Sequence, residues 1–231
     1  MKRFYKDVST AAADGGWRVL LDGRPIKTVG GAPQIAPTQA LAAALADEWA
    51  AQGEKIDAAA LPLRDMADYA LDVIAPDRAA AQAALIPYGE TDTLCYRADE
   101  GSALLDRQIA VWEPLLNATE ARYDIHFERV SGIIHRPQPA ATLARLQAAL
   151  AAEGDFALAA LRNLVSLAAS LVVGLAALEP GADVAALWQA ACLEEEWQAD
   201  LWGRDAEAEA RRARRTADFA RAARFAALAR G

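Results

Sequence analysis

The chain has 231 residues, 54% of them hydrophobic, and a formal net charge of −8 from 32 acids against 24 lysines and arginines. That apolar content excludes a disordered polymer and supplies core for one large domain or two small ones. The acidic balance argues against nucleic acid as the main partner, and the longest uncharged apolar run, 164–178, has fifteen residues where a membrane-spanning helix needs about 20.

The first forty residues predict a β-meander. Residues 4–8 have strand character. Residues 17–21, Asp22-Gly23 and 24–28 predict a hairpin, because Asp-Gly supplies the two positive φ angles of a tight primed turn. Pro25 demotes the return strand to an edge, and Gly30-Gly31 breaks the chain before Gln34-Ile35-Ala36. Thr38, after Pro37, is the expected N-cap of a helix. There Leu41, Leu45 and Trp49 recur every fourth residue, so Trp49 is expected to face a core, with Gly53 as the stop.

From about residue 63 onward the pattern is mostly helical, with segments near 64–74, 77–98, 101–122, 140–152, 155–178, 182–203 and 205–230 divided by Pro and Gly. One segment, 124–130, begins with strand alternation. Ser131-Gly132 would fold it back on Ile133-Ile134-His135 as a hairpin, or it would return to the first sheet. The expected class is therefore α+β: a small N-terminal β-rich two-layer domain over 1–75, then an all-α helical domain over 76–231 with the 124–135 segment inside it.

The most unusual stretch is 193–203, which holds four acids (Glu194, Glu195, Glu196, Asp200) and two tryptophans (Trp197, Trp202) in eleven residues. If 182–203 is one helix, residues seven apart fall nearly in line. Trp188, Glu195 and Trp202 would then share an apolar row with Val184 and Ala191, and a carboxylate among indoles calls for a partner.

Searches for chemistry return little. His126 and His135 have no metal-ligand spacing. The paired glycines at 15–16 and 30–31 lack a phosphate-loop pattern, and no G-x-S-x-G elbow occurs. Cys95 has no histidine near it in sequence and reads as a buried structural thiol. Cys192 lies far from it, so two free thiols in a cytosolic chain are expected. Glu90 with Asp92, and Glu194 with Glu195, remain as carboxylate pairs for acid–base work. The last segment carries Arg211, Arg212, Arg214, Arg215, Arg221, Arg224 and Arg230. It reads either as a helix packed through Phe219 and Phe225 with arginines solvated or paired to upstream acids, or as an RNA- or lipid-binding stripe. Nothing in these residues assigns a catalytic, cofactor-binding or metal position.

Several motifs do align with a known family. Lys2-Arg3-Phe4-Tyr5-Lys6-Asp7-Val8, Gly16-Trp17, Leu21-Asp22-Gly23-Arg24-Pro25-Ile26-Lys27-Thr28, Glu48-Trp49-Ala50-Ala51-Gln52, Thr91-Asp92-Thr93-Leu94-Cys95-Tyr96-Arg97, Trp112-Glu113-Pro114-Leu115-Leu116 and Leu193-Glu194-Glu195-Glu196-Trp197-Gln198 with Trp202-Gly203 occur in order along nearly the whole chain. This series resembles the ATP-twelve family, assembly chaperones for the catalytic sector of the F-type ATP synthase. The resemblance implies a β-rich N-terminal and a helical C-terminal domain. It also implies a non-enzymatic, ATP-independent holdase that needs no cofactor. Such a holdase binds the unassembled α subunit of the synthase and shields the surface later covered by the β subunit. It further implies a bacterial, cytoplasmic member, monomeric when free, with neither nucleic acid nor membrane as partner. The family's sensitive positions fall on Glu194-Glu195 and on Trp49. With the tryptophan anchors beside them, Trp188, Glu194, Glu195 and Trp202 are the expected client-binding residues, and Trp49 is expected to serve folding. Two departures stand out: Arg64 with Asp68-Tyr69, and Asn117-Ala118-Thr119 after Pro-Leu-Leu. A small enzyme using helical-domain carboxylates and a basic-helix RNA or membrane-surface binder are the alternative functions.

Overall fold

In the computed structural model, which describes residues 1–132 and 135–231, the first sheet is built around two tight turns. Asp22 and Gly23 both take positive φ, 49° and 76°, so the expected primed turn forms and sets Leu21 opposite Arg24. Gly15 makes the other turn at φ 80°. The result is an antiparallel sheet in the order β1 (Val8–Ala13), β2 (Gly16–Leu21), β3 (Arg24–Pro25), with Val8 opposite Leu21 and Ala13 opposite Gly16.

The strand expected at 4–8 is not formed. Pairing with β2 starts at Val8; the amides of Lys6 and Asp7 turn to the Asp22 carboxylate, and Met1 and Arg3 take backbone partners from beyond the first helix. Arg3 N–H donates to the Glu54 carbonyl and Ile56 N–H to that of Met1, each at 2.8 Å. The Arg3 guanidinium donates to the Gln52 carbonyl at 2.6 Å.

Helix α1 (Gln39–Ala50) begins as expected, with Thr38 Oγ1 accepting from Leu41 N–H at 3.0 Å. It packs on β1 and β2, burying Leu41, Leu45 and Trp49 with Val19 and Leu21. Each such side chain contributes roughly 1.5–3 kcal/mol. The helix ends at Ala50, ahead of Gly53. Its Glu48 carboxylate accepts from Leu63 N–H at 2.8 Å and Arg64 N–H at 3.0 Å, capping α2 (Pro62–Tyr69), whose own N-cap Leu61 makes no side-chain cap bond. A carboxylate there satisfies orphan donors and complements the helix dipole.

A π-helical turn, Ala70–Ile74, follows α2. Asp68 and Asp72 on these turns fasten the loop after β3: Asp68 accepts from Val29 N–H and Gln34 Nε2, and Asp72 from Thr28 Oγ1 and Gly30 N–H. Gly30 is required there, since a Cβ would stand 2.7 Å from the Asp72 carboxyl carbon. Burial raises the Asp68 carboxyl above its ordinary range, opposed by the Gln34 bond and Arg64.

These elements belong to a compact unit of residues 1–81, 154–160 and 224–231; residues 82–153 and 161–223 form a second unit. Within the first, Thr38 Oγ1 donates to the Leu228 carbonyl at 2.5 Å, and Phe156 stacks on Phe225 at 6.0 Å.

Where one helix was expected over 77–98 the chain makes α3 (Arg78–Ala83), α4 (Pro87–Glu90), a 3-10 turn Thr93–Cys95 and β4 (Tyr96–Arg97). Asp92 enforces one of those breaks. Fully buried, it accepts from Leu94 N–H at 3.1 Å and Val172 N–H at 2.9 Å. Burial pushes its carboxyl up to about 6 against those bonds.

Among the described residues the 124–131 segment does not join the first sheet. Its β5 (Val130–Ser131) pairs in parallel with β4, Tyr96 opposite Val130. Arg129 ties it to α5 (Ala103–Tyr123) through Glu113, at 2.9 Å, and Glu120. The Ile133-Ile134 arm of the expected hairpin lies outside the described residues.

The remaining helices are α6 (Ala140–Ala152), α7 (Asp155–Ala168), α8 (Leu171–Ala177), α9 (Val184–Ala191), α10 (Leu193–Trp202) and α11 (Ala206–Arg230). The single helix expected over 155–178 divides at Ala169, at φ 49°. A non-glycine residue there costs roughly 1–2 kcal/mol. Two features hold it: Ser170 caps α8, and the Ala169 carbonyl accepts from Thr93 N–H and Thr93 Oγ1. Trp112 and Leu116 of α5 are fully buried, and Trp112 Nε1 donates to the Ala190 carbonyl at 2.8 Å. Among the described residues no helix is long and apolar enough to cross a membrane.

Candidate functional site

The acid- and tryptophan-rich segment is two helices. Cys192, at φ −92° and ψ 7°, ends α9 and starts α10 without a side-chain cap. Positions seven apart therefore do not line up across it, and the row expected through Trp188, Glu195 and Trp202 does not exist. Trp188 is 5% exposed and Trp202 87%, and the Glu195 side chain is 44% exposed.

With no capping side chain, the first turn of α10 carries Glu194, Glu195 and Glu196, a placement the helix dipole favours by about 0.3–1 kcal/mol per charge. Each acid has a different partner. Glu194 accepts from Gln108 Nε2 at 2.6 Å. Gln108 is fully buried, and its Oε1 accepts from Ala98 N–H at 2.8 Å. Glu195 pairs with Arg215 at 2.9 Å. Arg215 also donates to the Leu167 carbonyl at 3.1 Å and stands 5.2 Å over the Trp188 ring, a cation–π distance. Glu196 binds Arg204 at 2.9 Å and Arg212 at 2.6 Å, and Asp200 binds Arg204 at 2.8 Å. An internal partner for Glu195 therefore exists on α11.

Trp188 is anchored below this network. Its Nε1 donates to Thr216 Oγ1 at 2.7 Å, and its ring lies 5.1 Å from that of Phe219. Phe219 and Phe225 are fully buried, so α11 is packed through its phenylalanines, with Arg211, Arg212, Arg215 and Arg221 paired to acids. At the far end of α10 the chain does the opposite. Leu201 and Trp202 stand 63% and 87% exposed before Gly203, at φ 97°, ends the helix.

Trp49, Cys95, Cys192 and Asp92 are all buried. Trp49 is 9% exposed, with Tyr5 edge-on at 5.8 Å and the Tyr5 hydroxyl donating to the Trp49 carbonyl at 2.6 Å. Cys95 is buried and its thiol pKa raised, chiefly by burial. Cys192 is buried too, and desolvation pushes its thiol up to about 11, Arg215 opposing. Asp92 is committed to two backbone donors. Among the described residues no three His, Cys, Asp or Glu side chains cluster so as to hold a metal ion. The geometry offers contact chemistry: an apolar tip beside a carboxylate network in which the half-exposed Glu195 is held by a single arginine.

Residues 2–120 match the family model described as ATP12 chaperone protein. The structure of Atp12 from Paracoccus denitrificans is 40% identical, with a TM-score of 0.92 over 99% of this chain and 98% of that one. An Asp-to-Lys mutant of Paracoccus denitrificans Atp12p is 40% identical, with a TM-score of 0.93 over 99% of this chain and 97% of that one. A candidate chaperone from Agrobacterium tumefaciens is 39% identical, with a TM-score of 0.91 over 98% and 85% of the two chains.

Proposed function

This chain belongs to the ATP12 chaperone family, and on that premise we propose that it is a non-enzymatic, ATP-independent holdase for the unassembled α subunit of the F-type ATP synthase. It acts in the bacterial cytoplasm, as a monomer when free, until the β subunit takes its place. A lone α subunit exposes more apolar surface than a soluble monomer tolerates, and such a patch drives aggregation. Trp202, with Leu201, is the apolar anchor for that patch. Glu195 is the charge that meets a basic group of the client by exchanging Arg215 for it. Glu194 and Trp188 hold this surface from beneath.

The observation that carries the reading is the exposure of Leu201 and Trp202, 63% and 87%, at the end of a helix whose acids are all held in place. Large apolar side chains left in water beside an ordered charge network suit a transient partner.

The test is aggregation of purified α subunit followed by light scattering, with a tagged pull-down from the native host. The wild-type chain is expected to suppress scattering and recover free α subunit without intact synthase. Glu195→Lys is expected to abolish protection while shifting stability by about 1 kcal/mol or less, the range for an exposed ion pair. Recovery of no synthase subunit by the wild type defeats the reading. A Glu195→Lys chain that does not fold makes the glutamate structural.

A further inference from the structure

A second concave surface lies in the unit that carries the sheet. A groove of 520 Å³ there is lined by Tyr5, Leu21, Ile26 and Trp49, with Phe4 on it as well. Phe4 is 64% exposed, an unusual state for a phenylalanine. Arg24 and Lys27 also line the groove, both exposed, and neither forms an ion pair among the described residues. The lining acid, Asp22, is engaged by the amides of Asp7 and Lys6 at 2.8 and 3.0 Å, which hold its carboxyl below its ordinary range. Arg64 is paired to Asp65 and Asp68. The groove thus offers an apolar lining, an uncommitted Lys27 and an exposed Arg24 that acts on Asp22 without a close ion pair, on a chain of net charge −8.

That combination specifies its occupant. Charge complementarity favours an anionic side chain, which in a polypeptide is a carboxylate, and aromatic and aliphatic walls favour apolar side chains next to it. A membrane surface would need the apolar groups on a convex face, and here they line a hollow. Extension of the sheet at the β3 edge, which borders the groove, is disfavoured because β3 carries Pro25, which has no N–H to offer. Recognition must come from side chains. We propose that this groove is a second client-binding site, taking an extended segment of an unassembled polypeptide in which an aspartate or glutamate stands beside large apolar side chains. The assignment rests on the chaperone reading above and adds the chemistry of the segment held.

The test uses the full chain and three labelled peptides of equal length, one with carboxylates flanked by Leu and Phe, one with amides in their place, and one with lysines. Fluorescence anisotropy is expected to rank the acidic peptide tightest. The double reversal Arg24→Glu/Lys27→Glu is expected to weaken it by at least about tenfold and to improve the lysine peptide, since both substituted positions are exposed and the fold is unaffected. Phe4→Ala is expected to weaken all three, and Glu195→Lys none. Equal affinity of the wild type for acidic and amide peptides, or a double reversal without effect, overturns the assignment. So does stronger capture of phosphatidylglycerol vesicles than of the acidic peptide. The two readings separate cleanly. Peptide selectivity without protection of the α subunit refutes the proposed client alone; protection with an indifferent double reversal refutes the groove alone.

Discussion

Helices α9 and α10 are consecutive, each rich in alanine or acid and each carrying tryptophan, yet they meet opposite fates. Trp188 on α9 is buried, hydrogen-bonded to Thr216 and packed on Phe219. Trp202 on α10 stands in water beside Leu201. The change takes place at Cys192, a residue with no helix-breaking chemistry of its own. What differs is the surroundings: α9 lies over a phenylalanine, while α10 is held through its acids. The same side chain is core in one helix and surface in the next, so composition alone cannot tell a stability residue from a contact residue.

Mutations at the two helices should diverge accordingly. Trp188→Ala is expected to lower unfolding free energy by roughly 3–5 kcal/mol, the range for truncating a buried aromatic, read from chemical denaturation midpoints. An effect no larger than that of Trp202→Ala would erase the distinction. Glu194→Ala comes next, at about 1–3 kcal/mol, because it strands the buried Gln108 amide; Glu194→Gln, which keeps an acceptor, should recover most of that loss. Glu195→Ala should alter stability by about 1 kcal/mol or less and only at low salt. Trp202→Ala should change the melting curve by no more than about 0.5 kcal/mol while weakening suppression of α-subunit aggregation. Thiol labelling sharpens the contrast further. With Cys192 buried and pushed up to about 11, a disulfide reagent at neutral pH should leave it unmodified in the wild type and in Trp202→Ala, and label it quickly in Trp188→Ala.

Features governed by neighbouring residues were legible in the sequence. Asp22-Gly23 takes two positive φ angles, Thr38 caps its helix, and the Leu41-Leu45-Trp49 stripe is buried. Cys95 is an inert buried thiol. Features governed by distant residues were not legible. The helices over 155–178 and 182–203 break at Ala169 and Cys192 without proline or glycine. At Ala169 a remote residue, Thr93, bonds the freed carbonyl. Met1, Arg3 and Tyr5 find their partners at 49–56, and β5 finds its partner at Tyr96–Arg97. The seven-residue reading of Trp188, Glu195 and Trp202 failed for the same reason, since it assumed one unbroken helix. The α+β class and the family were recoverable because short motifs carry them. Pairing of the last helix's arginines with upstream acids was legible as one of two options, but which acid meets which partner was not, because each partner lies at least eight residues away, the nearest being Arg204 for Glu196 and the farthest Gln108 for Glu194.

The bond from Thr38 to the Leu228 carbonyl, with Phe156 on Phe225, has a bearing on biosynthesis. The sheet and α1 are synthesised before residues 154–160 and 224–231 of the same compact unit. That unit therefore gains its last segment only after every segment of the second unit has been made. Until then the sheet and α1 lack part of the packing that completes their unit.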